Sequence, residues 1–145
     1  MRILIAVDDS SESVDAVHYA YATFGGEHQL IVASIGANPI TMPVSPFGVQ
    51  PDVVLLTELR DRSEVEAEAT ALSASEELPV GTEIEAAVGA PGPALVEMAI
   101  RDEVDLIVIG SHERGIWDRL FHPSVGRYLI DHAPCPVLVV RGDHA

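Results

Sequence analysis

The chain has no lysine. Its eight basic residues are all arginines, set against 23 aspartates and glutamates, for a formal net charge of −15 over 145 residues. A GxxxxGK[ST] phosphate loop is therefore excluded outright, because that loop needs its lysine on the phosphates. The charge balance also argues against nucleic acid, whose binding draws most of its affinity from cations facing the backbone phosphates. Cysteine is nearly absent too. Cys135 stands alone, which rules out an internal disulfide and speaks against a thiolate metal cage. Between Pro134 and Pro136 it reads as a small buried hydrophobe rather than a reactive thiol. No apolar run approaches the roughly 18 residues of a membrane span, and "MRILIAVDDS" turns acidic after a strand-length run, unlike a signal peptide. The expectation is a soluble, cytoplasmic protein that binds neither membrane nor nucleic acid.

What is present suits a globular domain. Hydrophobic residues make up 48% of the chain, enough for a core, and the length predicts one domain over 1–145. Charge is unevenly placed. Residues 58–105 hold thirteen acids against Arg60, Arg62 and Arg101, whereas 110–145 hold four acids against Arg114, Arg119, Arg127 and Arg141, with four of the six histidines. The acidic block reads as a solvated helix face. The C-terminal third is where an anion is tolerated.

Periodicity orders the chain. "RILIAVDD" reads as a strand buried on both faces that runs into a loop. Asp9 or Ser10 caps the next helix, with Glu12 placed for a capping box from Asp9. Val14, Val17, Tyr21 and Phe24 mark that helix, which Gly25 and Gly26 stop. "QLIVASIGA" is a second buried strand. The four prolines of residues 36–52 predict a long loop, the kind that is usually functional. Val54, Leu55, Leu59, Val65, Ala69 and Leu72 mark a long acidic helix ending before Pro79. "TEIEAAVGA" is a third strand, and Pro93 suits the first turn of a helix carrying Leu95, Met98 and Ala99. "VDLIVIGSH" is the strongest strand. Pro123 starts a last helix through Val125, Tyr128, Leu129 and His132, and "CPVLVVRG" closes the chain. The order βαβαβαβαβ, with right-handed crossovers, gives a doubly wound, Rossmann-like α/β domain: a five-stranded parallel sheet with helices on both faces. Ligands of such sheets sit beyond the carboxyl ends of the strands, where strand order reverses. Ala6 to Ser10, Ile35 to Ala37, and Gly110 to Val125 meet there.

Several other chemistries are weighed and set aside. His112, His122 and Glu113 lack the short helical spacing of a zinc motif, so no metal is expected. Ser124 after His122 is too close in sequence for a hydroxyl–imidazole pair, and there is no GxSxG elbow. Trp117 with Ile116, Leu120 and Phe121 makes an apolar cluster that reads equally as a loop packed onto its own domain or as an exposed lid or partner contact.

Four stretches, "ILIAVDDSSESVDAV", "VGAPGPALVEMA", "DLIVIGSHERG" and "SVGRYLIDHAPCPVLVVR", together resemble the universal stress protein family, an adenine nucleotide alpha hydrolase-like fold. The nucleotide-binding branch of that family carries G-x2-G-x9-G-[ST], whose glycine amides wrap the phosphates. Laid on this chain without gaps, the pattern falls on Gly110, Glu113, Pro123 and Ser124, so two of its three glycines are replaced. The resemblance places the nucleoside contacts at Ala6, Val7, Asp8 and Ile35, and the phosphate end at Gly110, Ser111, Glu113, Gly115, Pro123, Ser124 and Val125. Glu113 brings a negative charge toward phosphate oxygens, and Pro123 has no N–H to give. The first-turn amides of the last helix, at Ser124 and Val125, remain an anion site with a favourable dipole behind them. Arg114 and Arg119 offer charge-assisted contacts that glycines never did.

The resemblance also implies a homodimer in which the closing strand "PVLVVR" pairs across the two-fold and covers an apolar edge. Two functional readings stay open. One is a non-catalytic stress-response domain, a regulatory homodimer with a weakened site for ATP or AMP; the other is a true ATP-binding member, a nucleotide-dependent switch with at most slow ATP hydrolysis. No residue is assigned a catalytic role.

Overall fold

The computed structural model describes residues 1–8, 10–37, 52–111 and 124–141. In it the apolar runs form β1 (Arg2–Ala6), β2 (Gln29–Gly36), β3 (Glu83–Val88), β4 (Leu106–Gly110) and β5 (Val137–Val140). The helices are α1 (Ser11–Phe24), α2 (Val53–Ala74), α3 (Pro91–Arg101) and α4 (Ser124–His132). The strands lie in the order β3-β2-β1-β4-β5, and all four pairings are parallel. Among the described residues, no helix is long and apolar enough to cross a membrane.

Alternation along β1 explains why both faces need cover. Leu4 and Ala6 point one way, to a core completed by Leu95, Met98 and Ala99 of α3 and by Val125 and Leu129 of α4. Ile3, Ile5 and Val7 point the other way, to Ala16, Val17 and Ala20 of α1 and Ala71 of α2. A strand buried on both sides must be apolar at every position, which is why the sequence shows a run rather than an alternation.

The helix faces differ from expectation in α1 and α2. The buried side of α1 is Ser13, Ala16, Val17 and Ala20, while Val14 and Tyr21 are exposed. In α2 only Ala67 and Ala71 are buried, and Val54, Leu55, Val65 and Leu72 all face outward. The reason is distance. Gly36 of β2 runs so close under α2 that a Cβ built on it would lie 2.6 Å from the Ser63 carbonyl oxygen. At that approach the inward positions must be small, and the large residues turn out. In α3, by contrast, Leu95, Met98 and Ala99 are buried as their spacing predicts, behind Pro91 in the first turn.

Ser10 is the N-cap of α1: its side chain accepts from the Ser13 amide at 3.3 Å. The capping box from Asp9 lies outside the described residues. Gly126 sits inside α4 with room to spare, since an added Cβ would meet only Ile109 Cδ1, at 3.6 Å. Gly126→Ala is therefore expected to stabilise the fold by up to about 1 kcal/mol through helix propensity, seen as a higher urea midpoint. An unchanged or lower midpoint would show that the glycine is needed for some other contact.

The two sheet edges are built differently. Edge strand β3 carries Glu83, paired to Arg2 at 3.4 Å, and Glu85, bound to Arg101. Charged edges of this kind resist strand addition. Arg101 also holds Asp102 at 2.8 Å, and its hydrogen bond keeps that carboxyl below its ordinary range, whereas burial pushes Glu85 up. At the other edge, β5 is four apolar residues, with Val139 44% exposed. Cys135, just before it, packs partly buried against the α3–α4 core, and burial raises its thiol above the ordinary value.

Candidate functional site

Strand order reverses at β1, which has β2 on one side and β4 on the other. The chain therefore leaves neighbouring strands β1 and β4 in opposite lateral directions, and a crevice opens at their carboxyl ends. Asp8 follows β1, and Ser111 follows β4.

Asp8 is only 8% exposed. Its Oδ1 accepts from the Ser10 amide at 2.8 Å, from the Ser13 hydroxyl at 2.6 Å and from the Ser10 hydroxyl. Its own amide donates to Ser13 Oγ at 2.8 Å. Its Oδ2 is buried and has no hydrogen-bond partner among the described residues. A buried acceptor left unpaired costs about 1–3 kcal/mol, so this oxygen is suited to a donor brought from outside. Asp8 and Ser10 also line a cavity of about 360 Å3 between α1 and α2, completed by Val14, Ala69, Thr70, Ser73 and Ala74. Ser13, Thr70 and Ser73 are absent from the sequence-based site. For Ser13 a signal existed: hydroxyls two and five residues after Asp8, the second on the inward side of a helix.

The other proposed nucleoside contacts have side chains committed elsewhere. Ala6, Val7 and Ile35 are each at most 5% exposed and belong to the two cores, and the Val7 amide donates to the Ala33 carbonyl at 2.8 Å.

At the phosphate end the pieces are mixed. The Ser111 amide donates to the Val140 carbonyl at 2.7 Å, so it serves the sheet. Gly110 is the last residue of β4, and a Cβ on it would lie 2.7 Å from the Glu12 carbonyl oxygen; its bareness is needed for α1 to cross over β4. Val125 buries its side chain in the α3–α4 core. Its amide, with that of Ser124, belongs to the first turn of α4, where N–H groups have no acceptor within the helix. Glu113, Gly115 and Pro123 lie outside the described residues, as do Arg114, Arg119, His112, His122 and Trp117. Among the described residues, no group of three histidines, cysteines or acids could hold a metal ion.

The β1 end of this crevice carries a fixed carboxylate with one oxygen unpartnered among the described residues, and the start of α4 carries amides that have no acceptor within the helix. Fold and site together define a doubly wound α/β domain with a crevice at the switch point of its parallel sheet. The universal stress protein family matches residues 1–141, and the chain belongs to that family. A universal stress protein from Thermus aquaticus is 33% identical over 96% of this chain and 97% of its own length. Among solved structures, the protein MJ0577 superposes with a TM-score of 0.74 at 25% identity, over 99% of this chain and 97% of that one. A universal stress protein in complex with cAMP is 26% identical, with a TM-score of 0.54 over 97% and 95% of the two chains.

Proposed function

We propose that this chain is a non-catalytic regulatory domain of the stress response, working in the cytoplasm as a homodimer with a weakened adenine-nucleotide site. The observation that carries the reading is the buried Asp8 carboxylate with its unpartnered Oδ2 at the switch point. It supplies an acceptor for the nucleoside half of a ligand. The cAMP complex of the similar protein supports an adenine nucleotide as that ligand. On the phosphate side, Glu113 stands for a glycine and keeps its main-chain N–H but adds a negative side chain, and Pro123 stands for a glycine and has no N–H at all. The grip on a triphosphate therefore falls to the α4 first turn and to whatever the arginines add.

The homodimer reading rests on β5. It is a short apolar edge strand with Val139 exposed, and pairing with its two-fold copy would cover that edge.

Isothermal titration with Mg-ATP, AMP and GTP tests the site. Weak binding of adenine nucleotides is expected for the parent chain, and micromolar binding of one of them would establish instead the nucleotide-dependent switch. Glu113→Gly combined with Pro123→Gly is expected to tighten adenine-nucleotide binding by about tenfold or more, one charge-assisted hydrogen bond being worth at least that. Asp8→Ala should weaken it. A double-glycine variant that binds no better than the parent refutes the role given to the two replacements.

A further inference from the structure

We propose that Ser13 is a positioning residue for the ligand site: its hydroxyl, together with Ser10, locks Asp8 so that Oδ2 alone is left for a donor on the nucleoside. This rests on the nucleotide reading above and adds to it a residue that never touches the ligand.

The geometry is reciprocal. Ser13 Oγ donates to Asp8 Oδ1 at 2.6 Å and accepts from the Asp8 amide at 2.8 Å, so the hydroxyl clamps the residue at both its backbone and its side chain. Ser10 adds its amide at 2.8 Å and its hydroxyl, both on the same Oδ1, while Ser10 Oγ accepts from the Ser13 amide. Each hydroxyl thus gives its one proton to Asp8 and takes one from the backbone. A carboxylate has about four lone-pair directions. Three donors converge on one oxygen here, and none of the described residues donates to the other.

Position matters as much as chemistry. Ser13 is 0% exposed and lies on the side of α1 that faces the sheet, among Ala16, Val17 and Ala20. Ser13 is the third residue of α1, in its first turn, and a fully buried position that faces the sheet ordinarily takes an apolar residue. A hydroxyl there is explained by what it holds. Because α1 is itself fixed to the sheet through Val17 and Ala20, the lock transmits the rigidity of the core to a carboxylate at the end of β1. A ligand donor then meets an acceptor whose rotamer is already set, which lowers the ordering cost of binding.

The test uses the whole chain and AMP as probe. Ser13→Ala is expected to weaken AMP binding by about tenfold and to have no further effect in an Asp8→Ala background, since the two act as one unit. Side-chain coupling constants of Asp8 without ligand should report one χ1 rotamer in the parent and averaging in Ser13→Ala. If Ser13→Ala is too unstable to measure, Ser13→Cys keeps the shape with a weak donor and should give a smaller loss in the same direction. Should Ser13→Ala lower stability yet bind AMP like the parent, or should the losses of Ser13→Ala and Asp8→Ala add in full, Ser13 is only packing and the proposal fails. A parent chain that binds no AMP overturns the nucleotide reading instead; the coupling constants then decide, and a χ1 unchanged by Ser13→Ala overturns the positioning role as well.

Discussion

Leu129→Ala is expected to destabilise the domain by about 2–5 kcal/mol, the range for truncating a fully buried leucine when the surrounding structure cannot collapse into the gap. Leu129 is 0% exposed and, with Val125, is the buried apolar anchor of α4, while Ile130 on the same helix is 69% exposed. Nine residues are too few for a helix to persist on its own in water, so α4 exists because this face is packed against α3 and the sheet. For a domain whose total stability is on the order of 5–15 kcal/mol, the urea midpoint should fall by a large fraction with an unchanged slope. The loss reaches the site as well. The first turn of this helix is the anion site of the function proposed above, and on that proposal nucleotide protection against unfolding should drop with it. A change below about 1 kcal/mol would mean that α4 is held by something other than this contact.

The second large effect is expected at Gly110. Gly110→Ala places a methyl group 2.7 Å from the Glu12 carbonyl oxygen and 3.0 Å from its carbon. Both are main-chain atoms of the α1 first turn, so nothing flexible can swing away, and either strand or helix must shift. Overpacking of this kind costs about 1–3 kcal/mol. Chemical unfolding without nucleotide separates this from a ligand role: the loss should be complete in the empty protein. If Gly110→Ala is as stable as the parent but loses nucleotide affinity, the glycine serves the ligand and not the helix crossing. The displaced first turn is the one that carries Ser13, so the Asp8 lock should loosen in the same variant.

Gly110 also shows how far a sequence can be read. Its position after a strong strand and before a polar loop suggests a phosphate-cradling glycine, yet the structure gives it a steric reason that no local pattern contains. The contact is with Glu12, nearly a hundred residues away. The same holds for Gly36 and Ser63, and such close approaches explain why Val14 of α1 and the large residues of α2 turn outward. Val14, Val65 and Leu72 follow helical spacing correctly as a pattern, but spacing cannot tell which side of a helix meets a sheet at close range. Small residues win there because only they fit.

Asp8 was visible as a candidate through the resemblance to the family, since by position alone an acid that follows a strand is as readily a loop or cap residue. Its locked state was not visible. The sequence by itself determined the elements and their class: five apolar runs separated by helical periods can close only as a parallel sheet with cover on both faces, and the absence of lysine and the acidic excess set the chemistry that the surface can do. Only the tertiary structure decided which residues meet, because hydrogen bonds at 2.6–2.8 Å around Asp8 and backbone approaches that forbid a single methyl group depend on how α1 lies across β1 and β4, a geometry set by the packing of the whole sheet at once.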